Sequence, residues 1–201
     1  VLSKNSVASV RNDPPVWLQF ARDAWQHRGE RRPRSAEDSG PGQESVWDYP
    51  RPPVVVPDDR SVKVSEARGL MASTDRSVRV LETSHPPAFY LPPESVVPGR
   101  LVRAPGSSHC EWKGAAEHLA VEGTTEPVGW RYRDPYPGFV EYAGWISFYP
   151  SRVVAFSSSG ARERSGNGEI SITRSRGAGA ILRGCHLCPN RSRPFGFSAT
   201  S

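Results

Sequence analysis

The sequence predicts a mostly β fold (β-rich α+β): a small antiparallel sheet domain with one or two short helices and disordered tails. Three observations predict it. Hydrophobic residues make up 36% of the 201-residue chain, a low apolar share that argues against a helix bundle or coiled coil. Gly and Pro together number 38, well above the average usage of about 12%, so turns are frequent. Short alternating or β-branched stretches recur between those turns, the pattern of antiparallel strands. The charged share of 23% is that of an ordinary globular chain.

Residues 1–43 read as an N-terminal extension. Pro15 to His27 places Val16, Phe20, Ala21 and Ala24 at near-helical spacing, one apolar stripe of a short helix. Asp13, Pro14 and Pro15 supply its start. GERRPRSAEDSGPG follows, polar and rich in breakers, and reads as a linker. Residues 44–156 read as the folded domain. SVWDYPRPPVVVPDD is extended, because its prolines deny it helix. Ser61 to Glu66 alternates, with Val62 and Val64 on one face. Val78 with Val80, and Phe89 with Tyr90, mark strands around the SHPP turn. Leu101 and Val102, Trp112 to Val121, and Trp130 with Tyr132 mark further strands. Pro137 to Ala143 gives one or two helical turns, and Trp145 to Tyr149 and Val153 to Phe156 close the domain. Residues 157–201 are rich in Ser, Gly and Arg, with apolar stretches too short for a core, and read as a disordered tail.

The net charge of +5 hints at nucleic acid until it is divided along the chain. Residues 1–44, 45–156 and 157–201 carry +1, −1 and +5. The domain itself has no net electrostatic reason to seek phosphate backbone, so nucleic acid is not an expected partner. No run of 18 apolar residues predicts a membrane span, and the first residues lack a signal-peptide h-region. Three cysteines, an odd count, point to a reducing compartment, so the expected location is cytoplasmic.

ESVWDYPRPP at 44–53, LETSHPP at 81–87, HCEWKG at 109–114, WRYRDPYPGF at 130–139 and AGWISFYPSRV at 143–153 occur in one order. Together they closely resemble the domain of unknown function 427 family, from Glu44 to about Phe156. The resemblance implies a small β-rich fold with a few short helices. It implies no established activity, although some classifications attach a nucleotidyltransferase label. Nucleotidyl transfer usually needs two neighbouring carboxylates to hold Mg²⁺. Asp58 and Asp59 are the nearest pair, and adjacent residues on an extended chain face opposite ways. No GxxxxGK[ST] loop is present. The resemblance also implies a last hairpin and a Gly-Trp-rich end after the FYP motif. The Ser/Gly/Arg segment stands there instead, which marks residues from about 157 as off-family and consistent with a mispredicted exon or a shifted reading frame.

His85, followed by two prolines that fix its backbone, suits general acid–base work, with Glu82 as its orienting partner. A structural histidine under a Pro-Pro turn fits the same residues. Cys110 beside His109 reads either as a nucleophile or as a buried thiol. Lys113 suits a carboxylate or phosphate, or packs its stem on Trp112. Trp130, Tyr132, Asp134, Tyr136 and Phe139, with Trp145 and Tyr149, supply either a ligand pocket or an aromatic core. Cys185-His186-Leu187-Cys188 is half a zinc site, and Asn190-Arg191-Ser192 matches a glycosylation sequon.

The leading expectation is a domain that binds a small polar or anionic molecule in an aromatic-lined pocket, with Trp112, Lys113, Trp130, Tyr132 and Asp134 as ligand-binding residues. His85 and Glu82 are the catalytic candidates of a hydrolase or transferase reading, in which Lys113 or Arg79 stabilises negative charge. A protein-interaction module using exposed edges and the Pro15–His27 helix is the third reading. The sequence assigns no metal and leaves any cofactor and the oligomeric state unknown.

Overall fold

The computed structural model describes residues 12–24, 32–34, 36, 44–153, 155–159, 169–173 and 181–183. The end of the expected helix at His27, most of the expected linker, the CHLC sequence at 185–188 and the sequon at 190–192 lie outside the described residues. The described residues are mostly strand, in antiparallel sheets with few short helices.

Helix α1 spans Val16–Ala24. Among the described residues twelve strands follow: β1 (Val54–Asp58), β2 (Ser61–Glu66), β3 (Gly69–Thr74), β4 (Ser77–Leu81), β5 (Ala88–Tyr90), β6 (Leu101–Cys110), β7 (Gly114–Val121), β8 (Pro127–Arg131), β9 (Ile146–Phe148), β10 (Ala155–Ser159), β11 (Glu169–Thr173) and β12 (Ile181–Arg183). Short 3-10 segments cover Pro93–Ser95 and Pro137–Tyr142.

Three sheets have the orders β1-β4-β5, β12-β11-β10-β2-β3 and β6-β7-β8-β9. Leu91 and Ile146 exchange backbone hydrogen bonds of 2.8 and 2.9 Å, so β5 leads directly to β9. The first and third sheets thereby join in the order β1-β4-β5-β9-β8-β7-β6. The five-stranded sheet continues beyond the matched aromatic motifs: β10 pairs with β2, aligning Phe156 with Val64, and carries β11 and β12 at its far side.

Alternation in β2 sends Val62 and Val64 inward, and both are fully buried. They pack with Met71, Leu91, Leu119, Ile146 and Phe148 in the first core. The second core lies on the other face of β7 and β8, where Ala116, Trp130 and Tyr132 meet Val78 and Val80 of β4, Tyr90 of β5 and Phe139. The β6-β7-β8-β9 sheet therefore stands between two cores, and burying each Val or Phe contributes roughly 1.5–3 kcal/mol.

Five details differ from the sequence reading. Within residues 157–201, read from the sequence as a disordered tail, the end of β10 and all of β11 and β12 are strands, held by pairing in the five-stranded sheet. Helix α1 forms, but its buried residue is Leu18, while Val16 and Phe20 of the expected stripe are 74% and 72% exposed. Arg22, one turn after Leu18, rests on Trp112 and Tyr136 of the domain, and that docking outweighs the helix's own apolar pattern. Strand β3 is additional. Strand β6 extends ten residues, with a register shift between Arg103 and Ser107. Trp112 sits in the turn before β7, not within the strand.

Candidate functional site

The Glu111-Trp112-Lys113 turn between β6 and β7 is followed by Gly114 at φ +93°, a conformation that L side chains rarely adopt. The Tyr136 ring lies 3.6 Å from where a Cβ on Gly114 would stand. The Tyr136 N–H donates to the Lys113 carbonyl at 3.2 Å. This tight turn swings the Lys113 side chain into the second core, where it is 8% exposed.

Lys113 lines a pocket with Val78 and Val80 from β4, Tyr90 from β5, Tyr132 and Pro135 after β8, and Phe139 and Tyr142 from the 3-10 segment. Its ammonium lies 5.2 Å from the Phe139 ring centre and 6.0 Å from that of Tyr132, within cation–π range. Glu82 Oε2 stands 3.9 Å away, beyond hydrogen-bond distance. The free space is about 10 Å³, enough for one water-sized group. That space takes a single polar atom, and the rest of any larger group would lie at the mouth.

Burial pushes the Tyr90 and Tyr132 phenols well above the ordinary tyrosine range. Both are therefore neutral donors near pH 7. Trp130 Nε1–H donates to the Tyr90 hydroxyl at 3.0 Å, and the Trp130 ring contacts Tyr149 at 4.6 Å between centres. Trp130 thus supports the pocket wall from behind Tyr90.

Glu82 follows β4 and stands 3.8 Å from Arg51 as well as 3.9 Å from Lys113. Arg51 also pairs closely with Glu111. Arg51 precedes β1 and Glu111 follows β6, so this charged cluster ties together the two ends of the joined sheet. The cis peptide bond Arg51–Pro52 lies at the same place.

Of the expected residues, Lys113 and Tyr132 line the pocket together, Glu82 stands behind Lys113, and Trp130 supports Tyr90. Trp112 is 4% exposed in the same core but lies under Arg22 of α1 instead of lining the pocket. Asp134 is exposed, and its carbonyl accepts from Asn12 at 2.5 Å. His85 is exposed in the turn after Ser84, a non-glycine residue at φ +66°. His85 Nδ1 lies 3.0 Å from the Thr83 carbonyl oxygen, and the ring is not among the pocket lining. Arg79 is engaged by Glu44 and Asp58, each at 2.9 Å. Asp58 is buried against Arg60 and Arg79, whereas Asp59 is exposed, so the pair does face apart. Among the described residues no group of three His, Cys, Asp or Glu side chains is placed to hold a metal ion. No helix among the described residues is long and apolar enough to cross a membrane.

Val78, Val80, Tyr90, Pro135 and Tyr142 are pocket residues that sequence reasoning missed as such. For Tyr142, Val78 and Val80 the only sequence signal is the aromatic in the expected helical turn and the alternation of β4.

No curated protein matches the chain. The family model labelled NTP_transf_9 and described as a domain of unknown function, DUF427, matches residues 54–159. That segment holds β1 to β10 and every pocket residue, and it is more than half of the chain: the protein belongs to the DUF427 family.

Proposed function

We propose that the domain binds a small anion with an apolar or aromatic body, placing the charged end on Lys113. One observation carries this reading: an ammonium on a side chain 8% exposed lines a pocket of aromatic walls, with its carboxylate partner 3.9 Å away. An ammonium on a largely buried side chain, paired with a carboxylate beyond hydrogen-bond distance, is incompletely satisfied. An anion that reached it would supply the missing hydrogen bonds, and low local dielectric would strengthen them. The neutral Tyr90 and Tyr132 phenols add donors without adding charge.

Calorimetric titration with benzoate and phenyl phosphate, and with benzamide as the uncharged match, tests it. The two anions are expected to bind, benzamide is not, and Lys113→Met is expected to abolish binding. Equal binding to the Lys113→Met chain would refute the reading. Hydrolase or transferase chemistry by His85 and Glu82 is separable: His85→Ala would then stop turnover while leaving anion binding intact.

A further inference from the structure

Helix α1 precedes the family-matched residues, yet it is seated on them at a built aromatic site. The Arg22 guanidinium carbon lies 4.8 Å from the Trp112 ring centre and 5.6 Å from that of Tyr136. Arg22 Nη2 donates to the Trp112 carbonyl at 3.3 Å, and Nη1 donates to Gln19 Oε1 at 3.3 Å. Both rings are 4% exposed. The Tyr136 hydroxyl is fixed by His109 Nε2 at 3.2 Å. Leu18, one helical turn before Arg22, is the buried residue of α1. Asn12 adds a hydrogen bond to the Asp134 carbonyl.

We propose that Trp112, Tyr136 and the Trp112 carbonyl form a guanidinium-binding site, which the chain's own Arg22 fills in cis. Two ring faces and a carbonyl acceptor are the chemistry that recognises a planar cation. The cis occupant fits it incompletely. Among the described residues, Arg22 Nε and Trp112 Nε1 are buried without an acceptor, and each unmet donor costs stability. A second segment that presents an arginine one turn after a leucine can therefore displace α1. The ligand class is an arginine-bearing amphipathic peptide, different in charge and position from the anion proposed for Lys113. Displacement would uncover Trp112 and Tyr136 beside the Lys113 turn and free the Asp134 carbonyl.

The test uses the full chain with Leu18→Asp and Arg22→Ala, which releases the strap, and a fluorescent peptide of residues 12–24. Anisotropy should show the peptide binding to the released chain. The unaltered chain should bind at least about tenfold more weakly, because its own strap competes at an effective concentration on the order of millimolar. A peptide carrying Arg22→Ala should bind about fivefold to thirtyfold more weakly than the parent peptide. A released chain that melts cooperatively yet ignores the peptide overturns the proposal, as does equal binding of the two peptides. If the double substitution unfolds the chain, the Arg22→Ala chain is titrated with acetyl-arginine amide while the Trp112 indole N–H resonance is followed. A saturable shift supports the site and no shift overturns it. Neither readout depends on Lys113, so failure here leaves the anion reading standing.

Discussion

Lys113 and Glu82 form an ion pair without a hydrogen bond, their charged atoms 3.9 Å apart and their side chains 8% and 15% exposed. The two residues are expected to respond unequally to substitution. Replacing a buried charge by an apolar side chain of similar length is often neutral or stabilising. Lys113→Met should therefore melt at the same temperature as the parent or higher, since Glu82 keeps Arg51 at 3.8 Å. Glu82→Gln strands the ammonium and should cost about 1–3 kcal/mol. Thermal melting of the two variants side by side checks this. A destabilised Lys113→Met with a normal Glu82→Gln would mean that the lysine serves the fold rather than a ligand.

Gly129 leaves no room for a side chain. A Cβ there would lie 2.4 Å from the Ser147 carbonyl oxygen, a backbone atom of the paired strand. Gly129→Ala must push β8 and β9 apart, at a cost of about 1–3 kcal/mol or more. Gly138, in the 3-10 segment, meets nothing within 4 Å at the same position. Gly138→Ala should be neutral, or stabilising by up to about 1 kcal/mol through the unfolded chain. Urea unfolding of both variants measures the difference.

The contrast between legible and hidden features follows from the range of the interactions. Val62 and Val64 were readable because alternation is local and both turn to one core. The β3 segment GLMAST carries no such pattern, since Leu70 is 47% exposed and the inward residues are Met71 and Ala72. Its strand state comes from pairing with β2, a tertiary effect. The face of α1 was misread for the same reason. Local periodicity favoured Val16 and Phe20, whereas in the fold Arg22 docks on Trp112 and Tyr136 and Leu18 is the buried residue of the helix. The aromatic and lysine residues of the site were legible as types. Their arrangement was not, because β4, the HCEWKG turn and the Pro137–Tyr142 segment meet only in the folded chain.

Asp58 ties acid stability to an arginine pair. Burial raises its carboxyl, but the hydrogen bonds and charge of Arg60 and the charge of Arg79 more than offset this, and its pKa is lowered overall. Its Oδ2 lies 2.5 Å from Arg60 Nη2 and 2.9 Å from Arg79 Nε. A depressed folded pKa gives stability that is present above the unfolded value, about 4, and lost as pH falls through the folded value. The chain should therefore lose stability on acidification below pH 4. Asp58→Asn should be weaker at pH 7 by about 1–3 kcal/mol and show a flatter acid limb. Urea midpoints from pH 7 downward test this; an unchanged acid limb in Asp58→Asn would assign the acid sensitivity to other carboxylates.

The pocket tyrosines set the opposite limb. Burial raises Tyr90 and Tyr132 well above the ordinary value, about 10. A raised folded pKa gives stability that is full below the unfolded value and declines as pH climbs toward the folded one. At pH 11 the native chain should keep these two phenols neutral, so its absorbance near 295 nm should fall short of that of the denatured chain. Tyr132→Phe keeps the ring and removes one ionisation, so it should lessen the alkaline loss of stability. Because Trp130 donates to the Tyr90 hydroxyl, Tyr90→Phe strands a part-buried indole N–H and should cost about 1–3 kcal/mol at every pH. A Tyr90→Phe chain as stable as the parent at neutral pH would show that this hydrogen bond does not hold the pocket wall in place.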